Sequence, residues 1–489
     1  MRINIQRAVG AVVLLLSVAS VAVAAADLRL AEAAKSQSTE AVRALLAEGA
    51  PVSEGDASGF TALHWAAQWD HAEIAELLIG SGADVNAANR YDVTPLALAC
   101  TNASGGMVKR LLNAGANPSA VEATGATALM TCARGGVWGA VEPFLGHGVD
   151  LNAKENSRGQ TALMWAAWEG HSEVVRGLVE HGADVGARST TGYTALLLAA
   201  REAYKETTDV LLAAGADVNE AADDGTTALL IAVIRRHVDY AGFLLEQGAD
   251  PNLGPGFTPL HWASGKWDTE LNDLSNGVAE GNQWSKFAGL RDPNQLLVVK
   301  ALLAHGADPN IQTERTPGFG IKVKGHLGNM SGSTAFLIAA KANDIDVMRE
   351  LLDHGADPWI TTWAGTTPLM MAAGVGHAPG ITRSGEAEAM EAVYLLVELG
   401  ADVNAVNDRG DTALHGAAWR EQADSIVQFL VDRGANMDAK NNREWTPLVI
   451  AEGIHTGGNY IKSDSTTALL QKLGATPSPP DISREPSVR

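Results

Sequence analysis

The sequence predicts an all-α repeat solenoid, in which about twelve helix–turn–helix units stack side by side and each projects a hairpin turn. Two recurring phrases predict this fold class. One opens T-A-L, T-P-L or T-A-F and returns most often after 33 or 34 residues. The other, G-A-D or a close variant, follows most of these threonines after 21 residues. A third observation agrees with them, because the apolar residues between the two phrases recur at helical spacing.

The opening threonine marks the start of a short first helix. Threonine caps a helix by accepting a hydrogen bond from the N–H groups of the first turn, and the proline that follows it in some units suits that turn. Leu63, Ala66 and Ala67 then form a narrow apolar face, and the small alanines allow a neighbouring helix to approach closely. The opening threonines are Thr61, Thr94, Thr127, Thr161, Thr194, Thr227, Thr258, Thr334, Thr367, Thr412 and Thr446.

The second helix of each unit carries a broader apolar stripe. In the first complete unit, Ile74, Leu77 and Leu78 are spaced three and four residues apart. Gly82 is expected to end this helix, because glycine adopts the left-handed conformation at little cost. The Ala-Asp-Val-Asn that follows has the chemistry of a turn. One helix pair cannot bury its own apolar face, so the pattern predicts that the pairs stack.

These phrases resemble the ankyrin repeat family. The resemblance rests on T-A-L-H-W-A-A at residues 61–67, T-P-L-H-W-A at 258–263, T-A-L-H-G-A-A at 412–418 and G-A-D-V-N at 82–86, and it extends over residues 27–475. It implies an ankyrin repeat solenoid that binds a protein partner in a concave groove. It also implies that the histidine of T-x-L-H makes structural hydrogen bonds to a neighbouring turn.

The two ends of the chain predict segments outside the repeats. Residues 1–26 combine a basic start, an uncharged apolar run and small residues at its end, which is typical of a secretory signal peptide. An uncleaved signal anchor is the alternative. We expect cleavage, a periplasmic or secreted protein, and no membrane span afterwards. Cleavage removes Arg2 and Arg7, which changes the formal charge from −21 to −23. The Pro- and Ser-rich residues 476–489 indicate a disordered tail.

Three insertions interrupt the repeat, near residues 265–293, 312–332 and 374–386. In ankyrin proteins such insertions lie on surface loops. The first contains the apolar aromatic residues Trp267, Trp284 and Phe287, which favours a local binding feature within residues 265–332. The alternative is a tolerated surface insertion, because lengthening a long loop adds little closure entropy.

The ankyrin resemblance implies which positions face the groove: three on each projecting turn and two on each first helix. Aromatic residues occupy these positions more often than the composition predicts, and so do Lys and Arg. Trp, Tyr and Arg are the residues that dominate interface energetics. Some of the rings, such as Tyr193 and Trp445, could instead pack against the start of their own helix. The predicted partner-binding residues are Phe60, Trp69, Tyr91, Arg134, Trp168, Tyr193, Arg201, Arg235, Lys266, Trp419 and Trp445.

Other chemistry is disfavoured. The negative net charge argues against general nucleic-acid binding. We expect no metal and no cofactor, because equivalent His and Asp residues should lie about 10 Å apart in adjacent repeats, whereas zinc ligands lie about 2 Å from one point. Cys100 and Cys132 occupy the Ala-Ala positions of adjacent units. We expect them to be unpaired, with Cα atoms beyond the limit of about 7 Å for a disulfide.

The sequence therefore predicts a non-enzymatic, exported scaffold that binds a protein or peptide with acidic residues. The concave groove, together with the 265–332 insertions, is the predicted binding region, and we expect a monomer. A purely structural spacer is one alternative. An enzyme with its site in the insertions, using groups such as His261 and Lys266, is another.

Overall fold

A computed structural model describes residues 27–265, 294–314, 330–376, 385–420, 423–456 and 459–478. The described residues form twelve pairs of short helices, in the order first helix, turn, second helix. They divide into two compact units, which we call unit 1 (Met1–Thr190) and unit 2 (Thr191–Arg489). Each unit is a stack of helix pairs, which confirms the predicted all-α repeat fold class.

Unit 1 contains five helix pairs. Their helices are α1 Arg29–Lys35, α2 Thr39–Ala47, α3 Ala62–Gln68, α4 Ala72–Gly80, α5 Pro95–Thr101, α6 Gly105–Asn113, α7 Ala128–Gly135, α8 Trp138–Leu145, α9 Ala162–Glu169 and α10 Ser172–Glu180. Odd-numbered helices are first helices and even-numbered helices are second helices. Each type packs against its own kind in the neighbouring repeat, and the core lies between the two rows.

Unit 2 contains seven helix pairs and one small antiparallel hairpin. The helices are α11 Ala195–Arg201, α12 Lys205–Ala213, α13 Ala228–Ile234, α14 Val238–Glu246, α15 Pro259–Ala263, α16 Gln295–Ala304, α17 Ala335–Ala342, α18 Ile345–Asp353, α19 Pro368–Ala373, α20 Glu386–Glu398, α21 Ala413–Trp419, α22 Asp424–Asp432, α23 Pro447–Glu452 and α24 Asp464–Leu473. The strands β1 Ile454–Thr456 and β2 Asn459–Ile461 pair in the register Ile454↔Ile461, between the last two helices.

The predicted helix signals are confirmed. The side chain of Thr61 accepts a hydrogen bond from the backbone N–H of His64, and the other ten opening threonines cap their helices in the same way. Gly82 adopts the left-handed conformation at φ 86°. Burial of Leu63, Ala66 and Ala67 is complete, which places the narrow Leu–Ala–Ala face of the first helix in the core.

An asparagine side chain links the turns of successive repeats. Within unit 2, Asn219 Nδ2 donates to Gly248 O at 3.2 Å, while the backbone N–H of Asp250 donates to Asn219 Oδ1 at 2.7 Å. Asn252 and Asn310 make the same pair of bonds to the repeats that follow them. The Asn of the repeated G-A-D-V-N phrase therefore satisfies backbone groups of the adjacent turn.

One prediction was wrong. Cys100 and Cys132 form a disulfide, and their Cα atoms lie only 4.3 Å apart. The expected separation assumed an ordinary helix-packing distance. First helices carry Ala at the contact, as at Ala66 and Ala67, so their backbones approach much more closely than helices with large side chains. Adjacent Ala-Ala positions are consequently within disulfide reach.

Several predicted features lie outside the described residues. They include the signal segment 1–26, nearly all of the three insertions, Lys266, and the tail beyond residue 478. The boundaries assigned to these segments stay predictions.

Candidate interaction surface

The projecting turns and first helices of each unit present one set of side chains, which we call the inner face of that unit. Each turn is a small hairpin. In unit 1, Gly55 bridges to Thr61, and Asp56 N donates to Phe60 O at 2.9 Å. Neighbouring turns are also joined, because Arg90 N donates to Ser58 O at 3.0 Å. These bonds hold the turn positions in register from repeat to repeat.

A buried histidine ties the first helix to the next turn. His64 Nδ1 accepts from Thr61 N at 3.1 Å, and His64 Nε2 donates to Val93 O at 3.0 Å. His261 and His415 make equivalent bonds in unit 2. Burial lowers the pKa of all three imidazoles, and that of His261 falls to about 4. The resemblance-based prediction of a structural role for these histidines is confirmed.

Unit 1 places an aromatic cluster on its inner face. The ring centroid of Trp65 lies 5.1 Å from that of Phe60 and 6.5 Å from that of Trp69, and the two indoles are nearly parallel. The Lys35 ammonium lies 5.0 Å from the Trp65 centroid, which is cation–π distance. Trp69 remains 47% exposed. The cluster therefore leaves one large apolar surface facing water.

The next turns of unit 1 extend this aromatic and basic character. Tyr91 is 69% exposed, on the turn that follows the Trp69 helix pair. The Arg134 guanidinium lies 5.0 Å from the Trp165 ring centroid, and that of Arg158 lies 6.0 Å from the Trp168 centroid. Both arginines are exposed, whereas Trp168 is half-buried. The predicted residues of unit 1 are thus brought to its inner face.

Beneath Arg134, the indole N–H of Trp165 is buried and finds no hydrogen-bond acceptor among the described residues. A buried unsatisfied donor costs about 1–3 kcal/mol. Its position under an exposed guanidinium marks the Arg134–Trp165 pair as a place where unit 1 is not optimised for its own stability.

The predicted residues of unit 2 are less accessible. Trp445 is 1% exposed, with the Arg443 guanidinium 4.9 Å from its ring, so its assignment to partner binding was wrong. The residue directly before the opening threonine is buried in this repeat and at Phe257, but only partly buried at Phe60 and Tyr193. Arg201 is also buried, and Arg235 forms an ion pair with Glu202 at 2.8 Å.

Two other predicted residues of unit 2, Tyr193 and Trp419, are half-buried, so only part of each ring is accessible. Lys341, at another groove position, is half-buried as well, and burial lowers its pKa to about 8. Among the predicted residues that the structure describes, those that stay exposed are Trp69, Tyr91 and Arg134, all in unit 1, whereas the exposed rings Trp359 and Trp363 of unit 2 lie outside the predicted set.

Sequence reasoning missed one inner-face position. The fourth residue after the opening threonine is Trp in three repeats, at Trp65, Trp165 and Trp262. The predicted set used the seventh and eighth residues of the first helix and omitted the fourth. The recurrence of Trp at this position was the available signal. Trp359 was also missed. It replaces the turn-linking Asn and is 50% exposed.

A catalytic metal centre requires a cluster of ligating side chains. In the described part of the chain, no group of three or more His, Cys, Asp or Glu side chains is placed to hold a metal ion. None of the helices in these same ranges combines the length and the apolar character needed to cross a bilayer. What the inner face can do is bind another molecule through rings and guanidinium groups.

The family model described as "Ankyrin repeats (3 copies)" matches residues 27–89, 96–189, 196–270, 288–382 and 384–471. These matches cover most of the chain. The protein belongs to the ankyrin repeat family. Ankyrin repeats generally mediate protein–protein interaction, and the inner face described above is the surface that the resemblance implied.

The curated relatives that match are much longer proteins. The chain is 35% identical over 155 residues to neurogenic locus notch homolog protein 1 of Homo sapiens, which is 31% of this chain and 5% of that protein. It is 29% identical over 180 residues to the E3 ubiquitin-protein ligase KEG of Arabidopsis thaliana, which is 36% of this chain and 9% of the ligase. The chain thus spans less than a tenth of the length of either relative.

A solved ankyrin structure also matches. The crystal structure of the human ASB11 ankyrin repeat domain is 28% identical and has a TM-score of 0.38, covering 41% of this chain and 89% of that chain. The ankyrin assignment itself rests on the family match and on the repeated helix pairs.

Proposed function

We propose that this ankyrin repeat protein is a non-enzymatic scaffold that binds a protein partner through the inner face of unit 1. The observation that carries the proposal is the exposure of Trp69, Tyr91 and the Arg134 guanidinium on the turns and first helices of that unit. Large rings that face water gain nothing from folding, and Trp, Tyr and Arg are enriched among interface hot spots.

The partner that this surface fits carries acidic side chains. Arg90, Arg134 and Arg158 are exposed on the turns and first helices of unit 1, and arginine binds carboxylates through two parallel N–H donors. The protein as a whole carries a formal charge of −21, so a basic inner face is a local exception. Binding should weaken as ionic strength rises, because exposed charges are screened.

Two observations support an exported location, periplasmic or secreted. Residues 1–26 have the layout of a signal peptide, and Cys100 and Cys132 are bonded. Structural disulfides persist in oxidising compartments and are rare in the cytosol. We propose a cleaved signal, a mature chain that starts near Asp27, and a monomeric scaffold. N-terminal sequencing of the protein from its native host tests the cleavage, and an intact Met1 would contradict it.

An affinity purification tests the binding face. The bait is the full chain, as wild type and as the combined variant Trp69→Ala, Tyr91→Ala and Arg134→Ala. A matched control removes two equally exposed rings from unit 2, as Trp359→Ala and Trp363→Ala. We expect the partner to be lost with the first variant and retained with the control. Equal recovery with all three baits would remove the proposal and favour the structural spacer.

A further inference from the structure

A second surface lies on the opposite row of helices, away from the first helices that form the inner face. An open groove of about 300 Å³ runs along the second helices α18 and α20 of unit 2. Arg349 of α18 forms one wall. The rest is formed by α20, and its lining residues are Met390, Glu391, Tyr394, Leu395 and Glu398.

Tyr394 breaks a positional rule of the repeat. It lies six residues before Gly400, the glycine that ends its helix pair. The same position in the other repeats from Gly82 onwards holds Glu76, Lys109, Glu142, Arg176, Asp209, Gly242, Lys300, Arg349 and Gln428. None of these is aromatic, since the position faces solvent. Tyr394 is nevertheless 50% exposed, so its ring gains little from the fold of its own repeat.

The ring of Tyr394 lies next to other apolar side chains, and together they form an apolar strip. The ring centroid of Tyr394 lies 5.8 Å from that of Phe429 on α22, in a tilted arrangement. Met390 and Leu395 are half-buried on the same helix, and Leu399 at the end of the helix is 40% exposed. Tyr394 therefore lines an open groove whose apolar surface it shares with Met390 and Leu395.

The two helices that form the groove are acidic, although only two of their carboxylates, Glu391 and Glu398, line it. The helices α18 and α20 carry one basic side chain, Arg349, and seven carboxylates: Asp346, Glu350, Asp353, Glu386, Glu388, Glu391 and Glu398. Two of these carboxylates are paired, Glu398 with Arg433 at 3.0 Å and Glu350 with Lys300 at 3.4 Å. Glu391 is exposed and forms no ion pair or hydrogen bond with the described residues. The charge around the apolar strip thus favours a cationic occupant.

We propose that this groove docks a basic amphipathic segment of a protein partner. An apolar side chain of that segment lies against Tyr394 and Leu395, while its Lys or Arg side chains reach Glu391 and the other carboxylates of α18 and α20. Arg349 repels cations on the opposite wall and so fixes which way the segment lies. The surface is separate from the inner face of unit 1 and takes a ligand of opposite charge, so it does not depend on the proposed function.

Fluorescence anisotropy with labelled helical peptides tests the groove on the full chain. The main probe places Leu along one face and Lys on the others. A Lys/Ala peptide of equal charge removes the apolar anchor, and a Glu/Leu peptide reverses the charge. The variants are Tyr394→Ala and Glu391→Lys. Their matched controls are Trp363→Ala, an exposed ring on a turn of unit 2, and Glu246→Lys, an exposed carboxylate elsewhere in unit 2.

We expect the Leu/Lys peptide to bind and both test variants to weaken it, by at least about tenfold for the ring and about fivefold for the charge reversal. The two controls should change affinity by less than about twofold, and the Lys/Ala and Glu/Leu peptides should bind weakly. Equal binding of the Lys/Ala peptide would overturn the proposal in favour of unspecific charge attraction. Loss of binding with Trp363→Ala alone, or concentration-dependent self-association that Tyr394→Ala abolishes, would also overturn it.

Discussion

Cys100 and Cys132 join two adjacent repeats of unit 1, with their Cα atoms 4.3 Å apart and both side chains fully buried. They stand where other repeats carry the Ala-Ala pair, as at Ala66 and Ala67. The bond therefore crosses the closest contact between the first helices α5 and α7. It adds a covalent link to two repeats that are also joined by helix packing and by hydrogen bonds between their turns.

The double variant Cys100→Ala/Cys132→Ala should lower the free energy of unfolding of unit 1 by about 3–4 kcal/mol, because closing a loop of this length restricts the unfolded chain. Alanine is the residue of these positions in other repeats, so it removes the bond without adding bulk. Denaturant unfolding of the oxidised proteins measures the loss. A reducing agent should destabilise the wild type and leave the variant unchanged. Two free thiols in protein purified from an oxidising compartment would contradict the bond.

Two tryptophans of the predicted binding set should separate stability from binding. Trp445→Ala removes a fully buried ring and should cost about 3–5 kcal/mol of unfolding free energy. Trp69→Ala removes a ring that is 47% exposed and should cost less than about 1 kcal/mol. Thermal unfolding of the two variants makes the comparison. A similar loss for both would show that Trp69 also supports the fold.

The glycines that end the second helices are required by their left-handed backbone conformation and not by a lack of room for a side chain. Gly215 has φ 94°, and no atom lies within 4 Å of a Cβ added there. Gly215→Ala should therefore destabilise by about 1 kcal/mol through conformation alone. Gly242→Ala, within helix α14 and equally open, is the matched control and should be neutral or stabilising by up to about 1 kcal/mol. If both variants melt at the same temperature as the wild type, the left-handed turn is not what selects glycine.

Acid should weaken unit 2 through His261. Burial lowers its pKa from 6.5 to about 4, and protonation would place a second donor, Nδ1–H, against the backbone N–H of Thr258. The native state binds this proton less readily than the unfolded state. Its stabilising contribution is therefore complete above about pH 6.5 and is lost as the pH falls towards 4, by about 3 kcal/mol in total.

His261→Gln tests this pH dependence. The variant should be less stable than the wild type at pH 8, because the bonds to Thr258 and Ile311 are altered. Its melting temperature should fall less steeply between pH 7 and pH 5. Parallel curves for the two proteins would show that His261 does not titrate in this range.

The sequence was informative about local structure because the same local interactions recur in every repeat. The threonine caps, the left-handed glycines and the T-x-L-H histidines each act within a few residues or on the next turn, so a recurring phrase was enough to predict them. The inner face was predicted less completely. A fixed offset from the threonine found Trp69 and Tyr91. It could not show that Trp445 turns into the core, since burial depends on the packing of several helices.

The sequence by itself determined the repeat, the stacking of helix pairs and the ankyrin family, because these follow from periodic apolar residues and turn chemistry. Only the tertiary structure decided how closely neighbouring first helices approach each other. That distance is what allows Cys100 and Cys132 to form a disulfide. The tertiary structure also decided which rings remain in water, among them Trp69 and Tyr394. Distances between repeats and exposure are set by side-chain volumes on neighbouring units, which no single repeat encodes.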